Sequence, residues 1–234
     1  TLETGELHFK ADSISSTTDT VFRIYYNGTT TGDYLTSATY GAQNVWNMYE
    51  AVWHMQEDPT GEVIDSTGNG NNATSSGSMT NSDQIEGQLS GSIDFDSVDD
   101  QLNAGNGIKY NDYYVSGWIA PESMGDFVGR VTSYDSLQTM VLNSGSGGLR
   151  HEVSFSGGSN VWDAPDNSVP QNGLFTHFAI NRTDVFSNTS DATLYIDNQS
   201  ATSDVSTTGT LNATSSFTIG NTSAGIRTFD GRID

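Results

Sequence analysis

Short runs of β-branched and aromatic residues, broken by turn formers at intervals of about ten to fifteen positions, constrain this chain most. Residues 92–96, Ser-Ile-Asp-Phe-Asp, alternate polar with apolar side chains, and Ser97-Val98-Asp99-Asp100 then turns the chain. Similar bursts lie at 51–55, 113–119, 127–131, 139–142, 149–155, 175–181, 192–197 and 216–220. A period of two residues is the mark of a strand with one buried face, whereas no stretch holds a helical period or an internal repeat. The expected fold class is all-β, a two-sheet antiparallel β-sandwich of the jelly-roll kind. Trp53, Phe95, Trp118, Phe178 and Tyr195 are its expected core aromatics.

Two units are expected. Residues 1–44 read as an N-terminal strand pair and linker, and 45–234 as the sandwich. In the first unit, runs at 7–11 and 20–26 flank the turn formers Ser15 to Asp19. Two strands alone bury too little to be stable. The second run is therefore expected to lay Phe22, Ile24 and Tyr26 against a sheet edge, of this sandwich or of a neighbouring subunit.

Charge narrows the partners. The chain carries 29 acidic against 8 basic residues, for a formal net charge of −21. Such a surface repels nucleic acid and anionic membranes. An Asp-rich, Lys-poor surface also suits a high-salt or marine source, where screening relieves self-repulsion. The absence of cysteine excludes disulfides, thiolate catalysis and cysteine-held zinc. No apolar stretch is long enough for a membrane helix, so no membrane insertion is expected.

The order of several motifs is similar to a known family. Val52-Trp53-His54-Met55 followed by Asp65-Ser66-Thr67-Gly68-Asn69-Gly70-Asn71-Asn72, then residues 91–100, then Val115-Ser116-Gly117-Trp118-Ile119, occur in sequence. Phe175-Thr176-His177-Phe178-Ala179, Leu194-Tyr195-Ile196-Asp197 and residues 229–234 follow. Together these resemble the laminin G-like, concanavalin A-like lectin domains of microbial surface proteins over roughly residues 46–234. Residues 1–45 resemble the end of a small β-domain that often precedes them. The pattern departs at Phe175, where the family usually has Trp, and at Asp234, beyond which the last strand usually continues. The resemblance implies an extracellular or cell-surface location and a binding or adhesion role rather than an enzymatic one.

Three kinds of site are candidates. Asp65, Thr67, Asn69 and Asn71 alternate on a loop kinked by Gly68 and Gly70, a pattern of hard oxygen ligands that suits calcium. One carboxylate is too little charge, so Asp234, or Asp99 or Asp100, is expected to complete the site. The resemblance also implies a structural calcium. For a carbohydrate or glycoconjugate, Trp162 stands out because it sits in the polar, glycine-rich segment 157–166 beside Asn160 and Asp163. An exposed ring there would stack on a sugar while its polar neighbours hold hydroxyls. Tyr110 and Tyr134 form a second aromatic cluster. The third kind, a glycosidase acid pair, lacks the closely alternating acids of the β-glucanases of this fold. Asp94 and Asp96 read instead as the solvent face of a strand. Glycan recognition, a building-block role among other surface-protein subunits, and a hydrolase or lyase thus remain in that order.

Overall fold

A computed structural model of the chain describes residues 7–24, 35–108, 113–122, 128–134, 138–143, 147–155, 158–183, 191–200, 203–205 and 216–234. Within these, the turn-punctuated bursts become antiparallel strands of two sheets. One sheet has nine strands, in the order β1 (Glu62–Val63), β2 (Ala73–Ser76), β5 (Gln101–Asn103), β15 (Phe217–Ile219), β7 (Val128–Tyr134), β8 (Gln138–Asn143), β9 (Gly148–Phe155), β10 (Gly158–Asp163) and β14 (Ser203–Val205). The other has seven, in the order β13 (Gln199–Ser200), β12 (Asp191–Ile196), β11 (Thr176–Thr183), β6 (Tyr113–Pro121), β16 (Asp230–Ile233), β4 (Gly91–Asp96) and β3 (Gln84–Glu86). The expected all-β antiparallel sandwich is the fold. Among the described residues no helix is long and apolar enough to cross a membrane.

Alternation decides what each strand buries. Ile93, Phe95, Leu102, Ile119, Leu149 and Leu194 are buried between the sheets. Across the seven-stranded sheet, Phe178 stands opposite Gly117 on one side and Ile196 on the other. Ile180 stands likewise opposite Val115 and Leu194. Phe95 and Phe178 are therefore core, as expected. Trp53 is half-buried against the core, its ring stacked on Phe217 at 5.8 Å.

Trp118 and Tyr195 are not core. Each neighbours a buried residue, Ile119 or Leu194, and successive strand side chains point to opposite faces. Both lie, partly exposed, on the outer face of the seven-stranded sheet. The expectation that both are core aromatics is corrected because, in a sheet with one solvated face, only every second member of a strand goes inward.

The N-terminal strand pair does not form among the described residues, where 7–24 carry no strand. Phe9 and Phe22 meet at 4.6 Å between ring centroids, yet Phe22 is 49% and Ile24 70% exposed. Among the described residues no sheet edge of the same chain covers Phe22 and Ile24, so the expected docking on its own sandwich is not found. Tyr26 lies outside the described residues. At the other end, β16 pairs with both β4 and β6, so the last strand fills the middle of its sheet instead of leaving an edge.

Candidate functional site

The Asp65 loop is built by hydrogen bonds that converge on its carboxylate. Asp65 is 6% exposed. Its Oδ1 accepts from the Val52 and Thr67 amides at 3.1 and 3.0 Å and from Thr67 Oγ1 at 2.8 Å. Its Oδ2 accepts from the Asn71 amide at 3.1 Å. Asn69 and Asn71 turn their side-chain Nδ2 groups toward the Glu50 carbonyl, at 3.0 and 2.8 Å. N–H groups aimed at a carboxylate do the neutralising that a calcium would do. Asp234 is placed elsewhere. Its main chain pairs with Trp118 and its Oδ2 accepts from the Leu89 amide at 2.8 Å. Asp65, Asn69 and Asn71 are thus brought together on one hydrogen-bonded loop, whereas Asp234 makes its hydrogen bonds with Leu89 and Trp118.

A different set of acids does converge. The turn between β4 and β5 places carboxylate oxygens of Asp96, Asp99 and Asp100 within 4.8 Å of one another. Asp100 is 3% exposed. Burial, followed by the charges of Asp96, Asp83 and Asp99, pushes its carboxyl up to about 6, although a hydrogen bond from the Asp96 amide opposes the rise.

Trp162 is fully buried, at 0% exposure. The expectation that it presents a ring to sugar is corrected by its register. It pairs with His151 on β9, and the two rings stack at 5.4 Å. The Arg182 guanidinium lies 5.5 Å from the same ring, and Tyr113 Oη meets His151 Nε2 at 2.9 Å. This polar-edged cluster belongs to the interior. Burial pushes the Tyr113 hydroxyl up to about 12, although Arg182 draws it the other way. Asp163 forms a bidentate pair with Arg150, at 2.6 and 3.1 Å, and is held there. Tyr110 lies outside the described residues. Tyr134 and Asn160 lie on β7 and β10, where the backbone alone is described.

The accessible aromatic face lies on the seven-stranded sheet. Tyr114, His177, Ala179, Asn181, Tyr195 and Asn198 line a shallow depression of about 270 Å³. Cross-strand register explains its shape. Tyr195, Ala179 and Ser116 form one row, and the small residues Ala179 and Ser116 make a low floor. Thr193, Asn181 and Tyr114 form the row on one side, while His177 and Trp118 flank it on the other. Tyr114 is 58% exposed, and Trp118 meets His177 edge-on at 5.0 Å. The two-residue turn Asp197–Asn198 has positive φ at both positions, 46° and 62°, the geometry of a tight hairpin that Asp and Asn tolerate. Asp197 Oδ1 accepts from the His177 amide at 3.0 Å, which fixes the turn and brings Asn198 to the rim. Aromatic faces beside side-chain amides and an imidazole can stack on apolar C–H surfaces and bond to hydroxyls.

Tyr114, Asn181, Tyr195 and Asn198 escaped the sequence reading because their segments were read as core strands. The alternation within Leu194-Tyr195-Ile196 was the available signal. Asp94 and Asp96 do lie on the solvent face of β4, as expected, opposite Arg232 and Asp230. Burial, then the nearby Glu122, raises the Asp94 carboxyl above the ordinary range, while Arg232 opposes this.

Residues 95–234 match the family profile described as the concanavalin A-like lectin/glucanases superfamily, of the laminin G-like type. No curated protein matches the chain. Among solved structures, the chain is similar to the binding domain of Paraclostridial mosquitocidal protein 1. That match has a TM-score of 0.45 and 14% identity, over 77% of this chain and 48% of that one. Domains LG4-5 of the mouse laminin alpha1 chain match with a TM-score of 0.37 and 13% identity, over 60% and 38%. Tailspike protein 2 of an Escherichia coli O157:H7 bacteriophage matches with a TM-score of 0.39 and 15% identity, over 62% and 22%. The chain thus spans less than half the length of each of these relatives.

Proposed function

Since the chain belongs to the concanavalin A-like lectin/glucanases superfamily, we propose that it is an extracellular binding module that recognises a polysaccharide or surface glycan through the outer face of its seven-stranded sheet. The observation that carries this is the depression lined by Tyr114, His177, Tyr195 and the amides Asn181 and Asn198. It sets two tyrosine rings beside side-chain amides and an imidazole, which matches a sugar ring better than a charged ligand. The net charge of −21 favours neutral glycans over anionic ones. Binding, not turnover, is the role assigned, and a structural divalent cation forms part of the same reading.

Affinity electrophoresis through gels containing neutral polysaccharides tests it. Wild type is retarded by at least one of them, and Tyr195→Ala migrates as in a gel without polysaccharide. Equal migration of the two proteins in every gel refutes the assignment of this face.

A second role, contact with other surface-protein subunits, is favoured by the exposed Phe9, Ile14, Phe22, Ile24 and Leu35. An apolar set of this size marks association surfaces. We assign it to residues 1–44 as a unit distinct from the sandwich at 45–234. Light scattering on the full chain and on a chain lacking residues 1–44 should show assembly only for the former.

A further inference from the structure

Asparagine followed two residues later by Ser or Thr is the acceptor pattern for N-linked glycosylation. It occurs at Asn27, Asn72, Asn181, Asn188, Asn198, Asn212 and Asn221. Asn27, Asn188 and Asn212 lie outside the described residues. The fold sorts the others. Asn221 is 0% exposed, its Oδ1 accepting from the Thr222 and Arg227 amides at 2.8 and 3.0 Å. Its Nδ2 donates to the Asp100 carbonyl at 3.4 Å, so a sugar on that nitrogen has no room. Asn72 is half-buried and bridges two groups, accepting from the Asp65 amide at 3.0 Å and donating to Glu62 Oε2 at 2.9 Å. Asn181 is exposed but sits in mid-sheet, opposite Tyr114 on one side and Thr193 on the other. A transferase reaching it would have to pull a central strand out of its ladder.

Asn198 has none of these obstacles. It holds the second position of the turn 197–198 with a φ of 62°, a conformation that Asn tolerates. Gln199 and Ser200 form β13, at the edge of the seven-stranded sheet, where β12 is the one strand paired with it. Asn198, Gln199 and the acceptor-pattern hydroxyl residue Ser200 are all exposed. An exposed edge hairpin opens locally at little cost, so amide and hydroxyl can enter an enzyme's groove together. The same Asn198 lines the depression with Tyr114, His177 and Tyr195.

We propose that Asn198 is an N-glycosylation acceptor and that the glycan it carries masks the binding face. In the modification, Nδ2 attacks C1 of an oligosaccharide linked through diphosphate to a polyprenol. The C1–O bond breaks, a C1–N bond forms, the polyprenyl diphosphate leaves, and Nδ2 gives up one proton. The turn keeps its backbone and the sugars extend from the rim. Tethered there, they meet Tyr195 and Tyr114 at an effective concentration in the range of about 1 mM, so a free glycan competes poorly. The masking rests on the reading of this face as a glycan site, whereas the acceptor assignment does not.

The full chain secreted by an N-glycosylating eukaryotic host, compared with the chain made in a host without that machinery, tests both parts. Peptide mass mapping should find Asn198 occupied and Asn221 bare. In gels of a neutral polysaccharide that retards the unmodified chain, the glycosylated wild type should bind roughly tenfold more weakly or less. Ser200→Ala from the glycosylating host should bind like the unmodified chain. That variant removes the acceptor pattern, leaves the Asn198 amide at the rim, and keeps any sugar carried elsewhere. An unoccupied Asn198 overturns the acceptor site. Occupied Asn198 with undiminished retardation overturns the masking. If no gel retards even the unmodified chain, the assignment of the face fails and the masking with it, while the mapping alone decides the acceptor.

Discussion

Replacing Gly220 by Ala should be among the most damaging single-atom additions in the sandwich. Gly220 has a φ of 80°, and a Cβ there would come within 2.1 Å of Phe95 Cε1 and 2.2 Å of Cδ1. Phe95 is 1% exposed and packs edge-on against Phe229 at 6.4 Å, so its ring has nowhere to move. Two costs add. Placing an L side chain at positive φ costs about 1–2 kcal/mol, and overpacking a filled core costs about 1–3 kcal/mol. A gain of about 0.4–1 kcal/mol from the stiffer unfolded chain offsets part of this. The net loss is about 1–4.5 kcal/mol. Gly70 provides the comparison, because it shares a φ of 80° but has nothing within 4 Å of the added carbon. There the backbone cost stands alone, less the same offset, for a net of about 0–1.5 kcal/mol. Urea unfolding of both variants measures the difference, which is the overpacking cost alone, about 1–3 kcal/mol, corresponding to roughly 2–12 °C in melting temperature. Equal losses would show that the ring relaxes freely and would refute the packing argument.

Other expectations follow from the same contacts. Trp162→Ala should lose about 3–5 kcal/mol as a large-to-small core change, whereas Trp118→Ala on the solvated face should lose about 1 kcal/mol, both read from urea midpoints. Asp65→Asn should lose about 2–4 kcal/mol equally in chelator and in calcium, because it weakens hydrogen bonds and not a metal site. Dependence on chelator in that variant would restore the loop as a cation site. The Tyr113 hydroxyl, pushed up to about 12, should make stability fall as pH rises from 10 toward 12. The unfolded chain releases this proton near pH 10 while the folded one keeps it, so each pH unit in that window costs about 1.4 kcal/mol. Urea midpoints between pH 9 and 12, compared with Tyr113→Phe, check the slope.

Strand content and the antiparallel sandwich class were legible because they rest on local alternation and turn chemistry. The run 92–96 and the turn after it predicted β4 and its end without ambiguity. The face of each strand was less legible. Trp118 and Tyr195 sit one position from buried residues, and only the position of neighbouring strands tells which set goes inward. Trp162 deceived for the opposite reason. Its sequence neighbours are polar, yet its cross-strand neighbour His151 and the buried Arg182 enclose it. The Asp65 loop shows a further limit, since alternating oxygens on a glycine-kinked turn serve equally well to collect main-chain amides. Asp99 and Asp100 were visible as possible partners for a cation, but their convergence with Asp96 depends on the turn's three-dimensional course.

Isothermal titration of a retained neutral polysaccharide into the double variant Tyr114→Ala/Tyr195→Ala tests the proposed binding face most directly. Both residues border the depression, and neither is in the core, so the melting temperature should change little. Anchoring aromatics at a binding centre each carry about 1–2 kcal/mol, so the pair should weaken binding roughly thirtyfold to a thousandfold. Loss of binding heat with an unchanged melting curve is the result the account predicts. Wild-type affinity in this variant would contradict it.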